Sequence, residues 1–214
     1  MVRIALIDYD TGNLHSACRG LEFAGAIVDI VTQPDHLDGY DGLVLPGDGA
    51  FDPAIQHLRS QGFEQPLKTA IAQGIPFLGI CIGLQLLMEW SEEGEEPGLG
   101  LVAGGVKRLQ PEAGVRIPHM GWNHLHLTQP DTPLWQGIPE DPWVYFVHSY
   151  YVQPEDPSWI AATVTHGSQT MTAAIGRGCL MATQFHPEKS GTWGLQMVKN
   201  FVQMAAEKNK LCST

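Results

Sequence analysis

Short apolar runs alternate with helix-like stretches in the first part of the chain. Residues 2–7, 27–31 and 42–45 are apolar without polar alternation, and apolar side chains recur at helical spacing over residues 14–24. Such runs, separated by helices, indicate a parallel sheet covered on both faces.

Helix and strand patterns also alternate towards the middle of the chain. Asp52-Pro53 has the form of an N-cap followed by proline at the first helical position, and Gly62 and Pro66 predict that this helix is in two pieces. Residues 75–80 predict a buried strand, and residues 83–90 predict a helix directly after it.

The second half is richer in β-branched and aromatic residues, and a helix closes the chain over residues 192–208. The turn-separated segments favour antiparallel or mixed strands. These predicted strands cover residues 123–128, 144–152, 159–165, 170–175 and 180–185. Together with the first half, they predict one α/β domain with a mixed sheet over residues 1–214.

Composition narrows the possible partners. The chain has 214 residues with 12 basic and 23 acidic side chains, a net charge of −11, which argues against nucleic acid or an anionic membrane as the main partner. Its 43% hydrophobic and 16% charged residues exclude a disordered chain. No signal peptide is visible and the longest apolar run is too short to cross a bilayer, so we expect a soluble cytoplasmic protein. The four cysteines lack zinc-site spacing, and we expect neither metal nor cofactor.

One cysteine lies in a motif typical of a nucleophile. Gly79-x-Cys81-x-Gly83 stands between the predicted strand and the predicted helix, which is the pattern of a nucleophile elbow with cysteine in place of serine. The glycines permit a sharp turn, and the N-terminal end of the helix favours the reactive thiolate.

A cysteine nucleophile needs a base and an orienting group, and His186 is the best candidate among nine histidines. It follows the last predicted strand, Pro187 ends that strand, and Glu188 is near enough to hold the imidazole. His148, in an apolar strand, fits a buried structural role. The remaining histidines fall near turns or at apparently exposed positions and are interpreted as surface or hydrogen-bonded residues: His15, His36, His57, His119, His124, His126 and His166.

With both motifs present, the chain resembles the class I, triad-type glutamine amidotransferases over nearly its whole length. More narrowly, it is similar to the glutaminase-subunit family of imidazole glycerol phosphate synthases, from histidine biosynthesis. The matching segments include Gly79 to Gln85, Phe185 to Ser190, Asp8 to Leu14, Gly49 to Phe51, Pro118 to Asn123 and Tyr145 to Tyr151. The resemblance implies a three-layer open mixed sheet and hydrolysis of L-glutamine by Cys81, His186 and Glu188.

The resemblance also implies roles for further residues. Backbone N–H groups from Gly47 to Gly49 and of Ile82 would form the oxyanion hole. Four residues would grip the amino-acid end of glutamine: Gln85, Glu93, Ser149 and Tyr150. Asp48 replaces the valine that the family commonly has between its two loop glycines, and we predict that its side chain points to solvent.

The resemblance further implies a heterodimer with a (β/α)₈-barrel cyclase subunit, which receives ammonia through a tunnel and makes imidazole glycerol phosphate. Residues near that junction would be Asn13, Met120, Trp122 and Lys189. Glutaminase activity would be low until the barrel and its ligand are bound, which is an allosteric coupling between two sites.

Three alternatives stay open at this point. The chain is compatible with the glutaminase subunit of anthranilate, aminodeoxychorismate or pyridoxal phosphate synthesis, although the segments Pro118–Asn123 and Tyr145–Tyr151 weigh against these. A cysteine peptidase or stress protein on a similar elbow fold is the second alternative. The third is a non-catalytic regulatory homologue, against which the intact triad argues.

Overall fold

A computed structural model describes residues 1–12 and 14–207 of the chain. The helices are α1 (Leu14–Phe23), α2 (Phe51–Ser60), α3 (Glu64–Ala72), α4 (Ile82–Gln85) and α5 (Gly191–Ala206). The strands are β1 (Arg3–Ile7), β2 (Ile27–Val31), β3 (Gly42–Leu45), β4 (Phe77–Ile80), β5 (Trp90–Ser91), β6 (Gly104–Arg108), β7 (His119–His124), β8 (His126–Leu127), β9 (Trp143–His148), β10 (Tyr150–Pro154), β11 (Ile160–His166), β12 (Gln169–Arg177) and β13 (Leu180–Thr183).

Eight of these strands form one mixed sheet in the order β2-β1-β3-β4-β13-β12-β11-β8. The strands from β2 to β13 pair in parallel, and the strands from β13 to β8 pair antiparallel. The mixed sheet predicted from the sequence is therefore confirmed. Because β4 lies between β3 and β13, the turn after β4 emerges at the middle of the sheet's carboxyl edge.

Helices cover both faces of the parallel half, because successive side chains of a buried strand point to opposite faces. Ile4 and Leu6 pack in one apolar cluster with residues of α1 and α5. Ala5 and Ile7 pack in a second cluster with residues of α2 and α3. The unalternating apolar runs of β1 and β3 arise from this burial on two sides, whereas the run of the edge strand β2 is mostly exposed or half-buried. The three layers agree with the predicted architecture.

The predicted start of α2 is wrong by two residues. The helix begins at Phe51 with Ala50 as N-cap, and the Asp52 carboxylate instead accepts hydrogen bonds from the N–H groups of Glu95 and Glu96. The break into two helices is confirmed between α2 and α3. Pro66 does not cause it, since proline is tolerated in the first turn of α3, where its missing N–H leaves no bond unmade.

The helix predicted over residues 83–90 is shorter in the structure. It ends with α4, because the following carbonyl groups bond to a later loop: Leu99 N–H donates to the Leu86 oxygen and Leu101 N–H to the Leu87 oxygen. The chain then enters β5. This competition comes from a segment more than ten residues away, so local spacing contains no sign of it.

The strands of the second half also differ in their bounds. The strand predicted over residues 144–152 is two strands, β9 and β10, separated at Ser149. The predicted strand 123–128 is likewise divided, because β7 ends at His124 and pairs with β9 outside the main sheet. The closing helix α5 agrees with its prediction apart from its ends, and Lys208 lies outside the described residues. Within the part of the chain described, no helix is long and apolar enough to cross a membrane.

Candidate active site

Cys81 occupies a strained turn directly after the central strand β4. Its φ of 57° and ψ of −108° lie outside the regions that non-glycine residues normally adopt, and it is the N-cap of α4. The Cys81 N–H donates to the Thr183 carbonyl at 2.7 Å, which ties the turn to β13. This geometry is that of a nucleophile elbow, as predicted from the glycine spacing.

The two flanking glycines are required by close contacts of the backbone. A Cβ atom on Gly79 would lie 2.8 Å from the Gly83 carbonyl oxygen and 3.1 Å from Ala182 Cβ. A Cβ atom on Gly83 would overlap the Leu45 carbonyl oxygen. Any side chain at either position would force β4, α4 and β3 apart and displace the cysteine.

The predicted histidine and glutamate are adjacent and buried. Nδ1 of His186 lies 2.8 Å from Oε1 of Glu188, and the Glu188 side chain is only 3% exposed. A 3₁₀ turn over Pro187–Lys189 follows His186 and brings Glu188 back to the ring. The Ser190 hydroxyl donates to the His186 carbonyl and so helps to hold this turn.

The His186 ring also interacts with Cys81, which borders the same cavity. Burial lowers the pKa of His186, but the hydrogen bonds and charges of Cys81 and Glu188 outweigh burial and raise it to about 9. A histidine with this pKa carries its proton at neutral pH. That proton is the one a cysteine gives up on becoming a thiolate, so the pair suits nucleophilic chemistry.

A cavity of about 330 Å³ brings most of the sequence-predicted residues together. Its size falls in the range of small-molecule sites. The predicted residues that border it are Gly49, Cys81, Ile82, Gln85, Glu93, Ser149, Tyr150 and His186. It is bordered in addition by Asp48, Pro118, Val147 and His148, for which the sequence analysis had no substrate role.

Two polar side chains in this cavity are suited to a charged ligand. Oε1 of Gln85 is buried and has no hydrogen-bond partner among the described residues. Glu93 is half-buried, its Oε2 accepts from the Phe51 N–H at 2.9 Å, and burial raises the pKa of its carboxyl. An amide oxygen and a carboxylate are both groups that can accept hydrogen bonds from an ammonium group.

The predicted oxyanion loop lies against the elbow. A Cβ atom on Gly47 would lie 2.8 Å from Ile82 Cβ, so only glycine allows this approach. Gly49 has a φ of 85° and borders the cavity. Asp48 is exposed but also borders the cavity, so its predicted direction towards solvent stays a prediction, and its Oδ1 accepts a hydrogen bond from the Gly12 N–H at 3.1 Å.

A chain of histidines beside the cavity was missed at the sequence level. His119, expected at an exposed position, is buried, and its Nδ1 lies 3.0 Å from Nε2 of the buried His148. Nδ1 of His148 lies 2.9 Å from the Tyr150 carbonyl oxygen. The pairing of β7 with β9 creates this contact, since it places residues 119 and 148 opposite each other. The buried role predicted for His148 is confirmed.

Among the predicted partner-interface residues, Met120 and Trp122 are 67% and 51% exposed, and Lys189 is half-buried beside Glu188. Asn13 lies outside the described residues. Opposed residues of β7 and β9 share one outward side of this two-stranded sheet. We name this side the docking face; it consists of Met120, Trp122, His124, Trp143, Tyr145 and Val147.

Comparison with known proteins shows the family to which the chain belongs. Residues 5–205 match the family model described as glutamine amidotransferase class-I. The chain therefore belongs to the class-I glutamine amidotransferases, and the predicted fold and enzyme class are confirmed. The structure of PurLQS from Thermotoga maritima has the same fold with a TM-score of 0.75, at 22% identity, covering 98% of this chain and 99% of the other.

Closer relatives define the branch of the class. Over 207 residues the chain is 67% identical to imidazole glycerol phosphate synthase subunit HisH of Synechococcus sp. (strain JA-3-3Ab), covering 97% and 96% of the two chains. Over 205 residues it is 60% identical to the subunit of the same name from Nostoc punctiforme (strain ATCC 29133 / PCC 73102), covering 96% and 97%. Within the class, it belongs to the family of these HisH subunits.

Proposed function

We propose that this protein hydrolyses L-glutamine to glutamate and ammonia as the glutaminase subunit of an imidazole glycerol phosphate synthase. The observation that carries this proposal is Cys81 at a strained elbow, sharing one cavity with the buried His186–Glu188 pair. The HisH relatives support the assignment to this synthase over anthranilate, aminodeoxychorismate and pyridoxal phosphate synthesis.

The chemistry follows from the three side chains. The Cys81 thiolate attacks the side-chain amide carbon of glutamine while His186 holds the proton taken from the thiol. The tetrahedral intermediate collapses, His186 protonates the leaving nitrogen, and ammonia departs from a γ-glutamyl thioester. His186 then takes a proton from water, whose hydroxide attacks the thioester and releases glutamate. Glu188 keeps the imidazole oriented and stabilises its charged form.

The cavity supplies contacts for the rest of the substrate. Oε1 of Gln85 and the Glu93 carboxylate are assigned to the α-ammonium group of glutamine, and Ser149 and Tyr150 line the same wall. The first N–H groups of a helix have no intrahelical acceptor, so Ile82 N–H is available for the oxyanion. The loop from Gly47 to Gly49 is assigned the second oxyanion donor.

Ammonia is proposed to leave through the docking face towards a synthase subunit. Val147 supports this route because it borders the cavity and also belongs to the docking face. A cluster of exposed apolar side chains on one surface is typical of an interaction site. Two of the predicted junction residues, Met120 and Trp122, belong to this face, and we assign Lys189 to its surroundings; the junction role of Asn13 stays a prediction.

The partner is assigned as a (β/α)₈-barrel cyclase, and the heterodimer is assigned to histidine biosynthesis in the cytoplasm. Ammonia reaches the barrel through a tunnel and reacts there with a phosphorylated aminoimidazole-ribulosyl nucleotide, giving imidazole glycerol phosphate and a carboxamide. We further infer that the oxyanion loop becomes competent only when the liganded partner is bound, which prevents wasteful hydrolysis of glutamine. Equal turnover by the isolated chain and the liganded complex would refute this last inference.

The catalytic assignment is tested by comparing Cys81→Ala with Cys18→Ala in the complex with the partner. Cys18 is a free cysteine on α1, so it serves as the matched control. Cys81→Ala is expected to lower ammonia release by at least about a thousandfold, because the thioester can no longer form. Cys18→Ala is expected to retain activity. Persistent ammonia release by folded Cys81→Ala would exclude the proposed mechanism.

A further inference from the structure

Gln184 is a fully buried polar side chain beside the nucleophile, and the proposed triad makes no use of it. Its Nε2 lies 3.7 Å from Cys81 Sγ, within hydrogen-bonding distance for sulfur, and its Oε1 lies 3.1 Å from Nε2 of Gln85. We propose that Gln184 is a further catalytic residue, whose side-chain N–H donates to the Cys81 sulfur and stabilises the thiolate. The inference rests on the proposed glutaminase function.

The orientation of the Gln184 amide is determined by its neighbours. The Tyr150 carbonyl oxygen can only accept, so the Gln85 group 3.3 Å from it must be the NH₂ group. That NH₂ group also faces Gln184, which must therefore present its oxygen. The NH₂ group of Gln184 is then left to face Cys81 Sγ. Flipping either amide would set two donors or two acceptors against each other.

The donor and acceptor roles can also be assigned from the Tyr150 carbonyl to the histidines of β9 and β7. This carbonyl also accepts from Nδ1–H of His148, because it has no proton to give. Burial lowers the pKa of His148 to about 4 and that of His119 to about 3, so both rings are neutral at neutral pH. Nε2 of His148 then accepts a hydrogen bond from Nδ1–H of His119. Nε2 of His119 in turn accepts one from Nδ2 of Asn123, at 3.2 Å.

These contacts restrain Gln184 in the position where a thiolate benefits from a donor. A hydrogen bond to an ionised acceptor is stronger than one between neutral groups, so the bond stabilises the thiolate more than the thiol. No proton is transferred through Gln184: the cysteine proton passes to His186, and the amide keeps both of its own. The side chains of Gln184 and His186 both belong to the segment that follows β13.

The test is the pH dependence of Cys81 alkylation by iodoacetamide, followed by mass spectrometry of the Cys81 peptide. Gln184→Met removes the donor at similar length. The pH of half-maximal Cys81 alkylation in this variant is expected to be about one unit higher than in the unaltered chain. At a pH below both midpoints, its alkylation rate is therefore expected to be about tenfold lower. Gln184→Leu, which also lacks a donor and adds no charge, covers the case in which the methionine variant does not fold.

Thr183→Val is the matched control. Thr183 is equally buried and adjacent in sequence, but its hydroxyl donates to the Phe185 carbonyl. The pH of half-maximal Cys81 alkylation in Thr183→Val is therefore expected to stay unchanged. An unchanged midpoint in the folded Gln184 variants, or the same shift in Thr183→Val, would overturn the inference. Alkylation needs no glutamine turnover, so a failed glutaminase assignment, detected by Cys81→Ala, remains distinguishable from a failed role of Gln184.

Discussion

At the residue scale, His186 shows how burial and charge compete at one ring. Burial removes water and disfavours the imidazolium, whereas the Cys81 sulfur and the Glu188 carboxylate favour it. The two charged partners outweigh burial, and the ring binds its proton more tightly than a free histidine does. The same interactions that prepare the site for catalysis therefore make the stability of the protein depend on pH.

Glu188→Gln tests this balance, since it keeps the shape of the side chain but removes its charge. The pKa of His186 is about 9 in the folded chain and about 6.5 in an unfolded chain. The folded state thus binds more protons between these values. Its extra stability is complete below about pH 6.5 and is lost as pH rises through 9.

In the unaltered chain we therefore expect the free energy of unfolding, measured with urea, to fall as pH rises from about 6.5 to 9. Glu188→Gln is expected to make this decline smaller and to reduce ammonia release by about a hundredfold or more. Glu155→Gln, at an exposed glutamate, is the control and should change neither. An equally steep decline in Glu188→Gln would contradict the assigned role.

At the element scale, the strand-turn-helix unit depends on how closely its parts approach. The backbone of α4 passes so near β3 that the Leu45 carbonyl occupies the place of any side chain on Gly83. The helix itself has only one turn, so the elbow is held by these contacts and by the bond from Cys81 N–H to Thr183. Its stability is tertiary in origin.

Gly83→Ala is therefore expected to lower the free energy of unfolding by about 3 kcal/mol, because its methyl group overlaps backbone that has no room to move. Gly39→Ala is the control, since a Cβ atom there has nothing within 4 Å and the backbone is not in a left-handed conformation. It is expected to change stability by less than about 0.5 kcal/mol. Equal effects of the two substitutions in urea unfolding would disprove this account.

At the scale of the whole molecule, the chain joins a buried reaction site to an exposed apolar surface. The docking face lies on a two-stranded sheet apart from the main one, with the cavity directly behind Val147. Hydrogen bonds link this two-stranded sheet, through His119 and His148, to the carbonyl of Tyr150 in the wall of the cavity. The surface proposed to bind the partner and the cavity proposed to bind glutamine thus meet at Val147.

Trp122→Ser tests the docking face by its effect on partner affinity. Buried tryptophans at interface centres often dominate binding, so we expect the dissociation constant for the synthase subunit to rise about tenfold or more, measured by titration calorimetry. Phe23→Ser is the control, because Phe23 is 65% exposed but belongs to the end of α1 and not to the docking face. If both substitutions weaken binding equally, the surface has been assigned wrongly.

Spacing along the chain was sufficient for the order of helices and strands, the elbow and the His-x-Glu pair, but not for the bounds of α2, α4 and the divided strands. The glycines around Cys81 and the glutamate two residues after His186 act over a few bonds, so their geometry is contained in local sequence. The role of β7 and β9 at a partner surface was predicted only through family resemblance, whereas the strand of β9 was predicted from its β-rich pattern. Residues 119 and 148 are far apart in the chain and meet only because β7 pairs with β9.

The contacts that the sequence did not predict all involve such long-range pairing. The early end of α4, the histidine pair and the amide of Gln184 facing Cys81 depend on segments brought together by the sheet. Periodicity reports which side of an element is buried, but it contains no information on which partner covers it. The nucleophile and its base were thus readable from short motifs, whereas the network that orients them arises from packing between distant strands.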